Sequence, residues 1–158
     1  MKKLTALLLA LAMVLALAAC SNETAQEAPD LNTVYEDYIA SLEEVPMMMD
    51  VTDDVVETFY PGLSAIDLQQ SVLVTAAISA VAYEIAMVEC ADSADVETVQ
   101  SIFQQRIDSQ VEGGAMYPAT VEAWENADIL TSGNVVALIV AGQDQDTAVS
   151  TIGAALGL

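Results

Sequence analysis

The stretch Val72-Leu73-Val74-Thr75-Ala76-Ala77-Ile78-Ser79-Ala80-Val81-Ala82-Tyr83-Glu84-Ile85-Ala86-Met87-Val88-Glu89-Cys90-Ala91 decides the fold. It is apolar almost throughout, and periodicity alone does not separate a buried helix from two buried strands. Composition favours strands. Val72, Val74 and Ile78 alternate with Leu73 and Thr75, and Tyr83, Ile85 and Met87 alternate with Glu84 and Val88. β-Branched and aromatic side chains fit a pleated surface, so a hairpin turning near Ser79-Ala80 is predicted. Glu84 and Glu89, each costly at bilayer depth, argue against a membrane span.

Toward the C-terminus, Asp92 or Ser93 can cap a helix over 94–112, with Val96, Val99, Phe103, Ile107 and Val111 along one side and Gly113-Gly114 at its end. Pro118 opens a shorter helix carrying Tyr117, Val121 and Trp124. Ile129 to Thr131 and Val135 to Ala141 then flank Ser132-Gly133-Asn134, a tight hairpin signal. The second of these strands is apolar at every position and is predicted to be covered on both faces. Asp144 and Asp146 begin a last helix through Val149, Ile152 and Leu156.

Toward the N-terminus, Asp30 is a good N-cap. Leu31, Val34, Tyr35, Tyr38, Ile39 and Leu42 follow the spacing of one helical face, which predicts a helix over 31–44 stopped by Pro46. Thr52 can cap a short second helix with Val55, Val56, Phe59 and Tyr60 before Pro61-Gly62. Met47, Met48 and Met49 between them read as a loop. The predicted order is helix, helix, strand, strand, helix, helix, strand, strand, helix. This is an α+β domain, an antiparallel sheet of two β-hairpins packed by helices.

The first residues have another purpose. Lys2 and Lys3 precede a run from Leu4 to Ala19 that is apolar except for Thr5. Sixteen residues at ~1.5 Å each reach only about 24 Å, short of the ~30 Å hydrocarbon core, so a cleaved secretory signal is the expectation. The run closes on Leu17-Ala18-Ala19-Cys20, which resembles the lipobox of bacterial lipoproteins. That resemblance implies a diacylglycerol thioether on Cys20 and cleavage just before it. Two acyl chains anchor stably where one binds only reversibly. The expected divisions are a signal peptide over 1–19, a lipidated tether over 20–30 and a single α+β domain over 31–158. The tether, low in apolar bulk and closed by Pro29-Asp30, could extend up to ~33 Å.

The hydrophobic share of 54% and mean hydropathy of +0.47 are inflated by that leader. Its removal takes both lysines and leaves 24 acidic side chains against Arg106 alone, a net charge of −23. Such a surface repels phosphate backbones, which excludes nucleic acid as a partner and favours cationic ones.

Taken together, the lipobox, Val45-Pro46-Met47-Met48-Met49-Asp50, Tyr83-Glu84-Ile85-Ala86-Met87-Val88-Glu89, Arg106 with Gln110, Tyr117-Pro118 and Gly133-Asn134-Val135-Val136-Ala137-Leu138-Ile139-Val140 resemble a family of small Gram-positive lipoproteins carrying domain of unknown function 4358. The resemblance spans nearly the whole mature domain. It implies lipid attachment at Cys20 and no assigned activity, ligand or catalytic residue. The chain departs from the family pattern in lacking lysine after the leader.

Absence of histidine removes Ser/His/Asp and Cys/His nucleophile activation and the usual zinc ligand sets. Absence of lysine after cleavage removes Schiff-base and Ser/Lys schemes. A glycosidase-type carboxylate pair stays open on composition, but no pair stands out and aromatics are few. With Cys20 lipidated, Cys90 has no disulfide partner, and it reads as core beside Glu89 and Asp92, whose charges would raise its pKa.

Asp50, Asp53, Asp54 and Glu57 supply oxygen enough for a weak Ca²⁺ or Mg²⁺ site but lack the EF-hand spacing, and acids near a helix start account for them more simply. Met47, Met48 and Met49 point in different directions without a histidine, so they read as an apolar plug or a protein contact rather than a copper site. The expectation is therefore a non-enzymatic, cofactor-free domain, lipid-anchored on the outer face of the cell membrane through Cys20. It would bind or scaffold an unidentified envelope protein, with Met47, Met48 and Met49 as the contact. An extracytoplasmic solute or cation binder is the alternative, with an envelope hydrolase behind it.

Overall fold

Asp30 caps the first helix as its sequence predicts, its carboxylate accepting the Thr33 amide at 2.8 Å. That helix, α1 (Leu31–Ser41), buries Leu31, Val34 and Tyr38. A computed structural model describes residues 28–158, and the elements after α1 are β1 (Met48–Asp50), α2 (Val56–Phe59), β2 (Leu68–Ala76), β3 (Glu84–Cys90), α3 (Val96–Ser109), α4 (Pro118–Glu125), β4 (Asp128–Ser132), β5 (Val135–Val140) and α5 (Gln145–Ala155).

The fold is α+β, with a five-stranded antiparallel sheet in the order β1-β2-β3-β5-β4. The two predicted hairpins are both present, and β3 and β5 pair to join them. Val72 faces Met87 and Val74 faces Ile85 across the first hairpin; Met87 faces Ala137 across the junction. β5 is buried at all six positions. Alternation along the strands divides the interior into two cores. One core holds Val74, Ile85, Met87 and Ile139 under α1 and α5. The other holds Ala86, Val88, Val136 and Leu138 under Tyr60, Leu63, α3 and α4.

Four features depart from the expectations. The expected order lacked a strand between the first two helices, yet Met48–Asp50 pairs with β2 and adds a fifth strand. α1 ends at Ser41 rather than residue 44, because Leu42 turns extended (φ −82°, ψ 140°) as the chain reverses to enter β1. β2 begins four residues earlier than expected, at Leu68, with a register shift between Leu68 and Gln70. The third helix ends at Ser109 and continues as one wide turn, Gln110–Gly114, instead of reaching 112 in regular form. The chain also docks before residue 31: the Pro29 carbonyl accepts the Gln70 side-chain amide.

Between β4 and β5, Gly133 takes φ +56° while Asn134 does not have positive φ, the pattern of a type II′ turn. A Cβ at Gly133 would meet nothing within 4 Å, so the only penalty is conformational. Gly133→Ala is expected to cost about 1 kcal/mol in urea denaturation, and Gly133→Asn less.

Candidate functional site

Glu84 opens β3 on the α3 side of the sheet and is fully buried. A buried carboxylate needs a cation and donors, and three donors reach this one. Arg106 Nε donates to Oε1 at 2.9 Å, Arg106 Nη2 to Oε2 at 2.8 Å, and the Tyr60 hydroxyl to Oε1 at 2.8 Å. This bidentate pair is the salt bridge found among the described residues. The Arg106 guanidinium lies between two rings, its carbon 4.6 Å from the centre of Phe59 and 5.1 Å from that of Trp124. Tyr60 in turn packs edge-on against Phe103.

The electrostatics follow from this enclosure. Burial pushes the Tyr60 hydroxyl well above its ordinary range, and the neighbouring Glu84 carboxylate adds to the effect. Burial acts to lower Arg106, but hydrogen bonding and charge from Glu84 outweigh it and leave Arg106 above its usual value. Arg106 therefore keeps its charge and Tyr60 its proton. The cluster ties α2, α3 and α4 to the first residue of β3.

Beside it opens a cleft of about 200 Å³ lined by Arg106, Gln110, Trp124, Met49, Ile78 and Val81. Its lining carries exposed apolar side chains from two segments, β1 and the turn between β2 and β3, and others lie near it in sequence. Met49 on β1 is 48% exposed and Ile78 between β2 and β3 is 55% exposed; Met47, just before β1, is 74% exposed, and Met116, directly after the cleft residue Ala115, is 75% exposed. At the other end of β3 a hollow of about 390 Å³ is lined by Ala28, Glu89 and Asn134. Polar groups there are already engaged: Gln70 donates to Glu89, and Asn134 to the Cys90 carbonyl.

The three methionines are divided by β1, which begins at Met48. The Met47 carbonyl accepts the Ala77 amide at 2.8 Å, Met48 packs half-buried against the α1 core, and Met49 faces the cleft. Cys20, the expected lipid-attachment residue, lies outside the described residues, as do 1–19 and most of the tether. The four carboxylates near α2 do not converge. Asp54 accepts the Thr52 hydroxyl, and Glu57 accepts the Gly62 and Ser64 amides at 2.9 and 3.0 Å. Among the described residues no three His, Cys, Asp or Glu side chains gather as a metal would need.

Cys90 is fully buried at the end of β3. Burial raises its thiol pKa, helped by the charges of Asp95 and Glu89, rather than of the expected Asp92. With Cys20→Ser making Cys90 the sole thiol, a disulfide reagent is expected to label nothing in native buffer and one group per chain in urea.

Residue-by-residue reading missed the Glu84–Arg106 pair. A signal for it was present: an acid inside an apolar strand requires a cation, and one basic residue follows the leader.

A family model described as domain of unknown function (DUF4358) matches residues 40–141, a span that includes β1, the Glu84–Arg106 cluster and β5. No curated protein and no solved structure matches the chain.

Proposed function

We propose a non-enzymatic binding role for this chain, which belongs to the DUF4358 family: held on the outer face of the cell membrane by a lipid on Cys20, it binds an envelope protein through the rim that Met47 and Met49 share with Ile78 and Met116. The observation that carries this reading is the meeting of exposed apolar side chains from two segments, Met49 on β1 and Ile78 with Val81 between β2 and β3, on one cleft, with exposed Met116 next in sequence to its lining residue Ala115. Isolated exposed apolar residues are ordinary on protein surfaces, whereas a contiguous group with a polar surround marks a contact surface. The buried ion pair gives that surface a rigid floor. The lipid anchor rests on the leader and on Leu17-Ala18-Ala19-Cys20. A solute binder would instead present several unengaged polar groups to one pocket.

The test joins two measurements in intact cells. A radiolabelled fatty acid is expected to label the wild-type chain and not Cys20→Ser, which should leave the membrane fraction. A photo-crosslinking residue at position 49 is expected to give discrete adducts that the same residue at position 104, exposed on α3, does not. Equal labelling of both chains, or the same adducts from both positions, would overturn the reading.

A further inference from the structure

We propose that β1 is a strand-addition edge, taking up an extended segment of a partner protein in which basic side chains alternate with apolar ones; this rests on the partner-binding reading above and specifies its mode. β1 ends the sheet, and among the described residues nothing pairs with its outer side. Its register sets which backbone groups remain open. Val51 donates to the Leu73 carbonyl and Ala77 to the Met47 carbonyl, both at 2.8 Å, and Met49 lies opposite Thr75. Bonding positions alternate in an antiparallel ladder, so 47, 49 and 51 are spent on β2. The amide and carbonyl groups of Met48 and Asp50 point away from the sheet.

The two faces beside this edge differ in chemistry. On the α1 face, Asp50 shares a hollow of about 350 Å³ with Glu36 and Asp53. Asp50 lies close enough to Tyr35 for its charge to disfavour loss of the tyrosine proton, second to burial. On the opposite face, Met49 borders the cleft with Ile78 and Val81. An added strand continues the pleat, so its alternate side chains meet acid on one face and apolar surface on the other. Charge complementarity selects the basic occupant.

A second copy of this chain fits poorly, since 24 acidic residues against 3 basic ones would bring like charge to the shared edge. Edge strands are commonly protected by brevity, proline and charge; β1 is three residues long and ends on Asp50, and Pro46 lies two residues before it. An acidic guard repels acidic strands and offers a neutral one no charge partner. It does not exclude a cationic one.

The experiment uses the full-length chain in detergent micelles and a capped, fluorescent peptide of alternating lysine and valine. The peptide is expected to bind. N-methylation of the alternate amides facing β1 should weaken binding about tenfold or more, while N-methylation of the other set leaves it unchanged. A peptide with its lysines and valines in separate blocks should bind at least about tenfold more weakly. Asp50→Lys is expected to reverse the preference toward a glutamate-valine peptide.

Met48→Pro removes an outward amide without touching the ladder to β2, and should reduce binding by about tenfold at unchanged melting temperature. If it melts early, Asp50→Lys carries the same decision. Absence of binding, equal effects of the two methylation sets or equal binding of the block peptide overturns strand addition. Adducts from position 49 in cells would then still uphold partner binding, and their loss with intact peptide binding would remove the cellular reading alone.

Discussion

Arg106→Ala is expected to lower the free energy of unfolding by about 3–5 kcal/mol, which for a domain of this size is a fall in Tm of roughly 10–20 °C. The size follows from what is left behind rather than from what the pair contributes. Glu84 is fully buried, and without the guanidinium only the Tyr60 hydroxyl still reaches it. An isolated buried carboxylate carries a desolvation penalty that no nearby group offsets, since Arg106 is the basic residue of the folded domain.

Glu84→Ala should cost a comparable amount through the opposite stranded charge, reduced where Arg106, with 12% of its side chain exposed, turns toward water. Replacing the group together, as Glu84→Leu with Arg106→Met and Tyr60→Phe, should recover most of the loss, because packed apolar side chains often match a buried ion pair in stability. Thermal and urea denaturation of the three variants measure this. A loss below about 1 kcal/mol for Arg106→Ala would mean that the pair is not closed off from solvent as its geometry requires.

That pair also separates what was legible in the sequence from what was not. The hairpins were legible because β-branched alternation is a local property, and β5 because an uninterrupted apolar run has few other places to go. Asp30, Pro118 and Gly133 announced ends and turns through their own backbone chemistry. β1 was hidden, since three residues without β-branching form a strand only when a neighbour lends the register, as Val74 to Ala76 does.

The start of β2 was hidden by polarity. Gln70 looks like a loop residue until its side chain is seen to accept the Leu31 amide and to donate to Glu89 and to Pro29. The methionine run stands out in the sequence by its composition, but its division between two faces required the strand. The cluster around Glu84 joins residues 22 and 24 positions apart, and only the scarcity of cations in the sequence points to it.

Trp124→Ala is expected to have the second large effect, about 3–5 kcal/mol, and its decomposition shows what the cleft floor is made of. Two terms compete. The indole is almost wholly buried, and it also stacks near the guanidinium of Arg106. Burial of so large a ring contributes several kcal/mol, whereas a partly desolvated cation–π contact is worth about 0.5–2 kcal/mol, so packing should dominate. Trp124→Leu and Trp124→Phe both lose volume, Leu somewhat more, and only Phe keeps a ring face. Leu should therefore be worse than Phe by a margin that is about 0.5–1 kcal/mol larger in the Arg106 background than in Arg106→Met. The same difference between Phe and Leu in both backgrounds would remove the cation–π contribution. A loss for Trp124→Ala confined to about 1 kcal/mol would mean that the indole is not packed into the core as its burial requires, and the cleft that Trp124 lines would lose its rigid support.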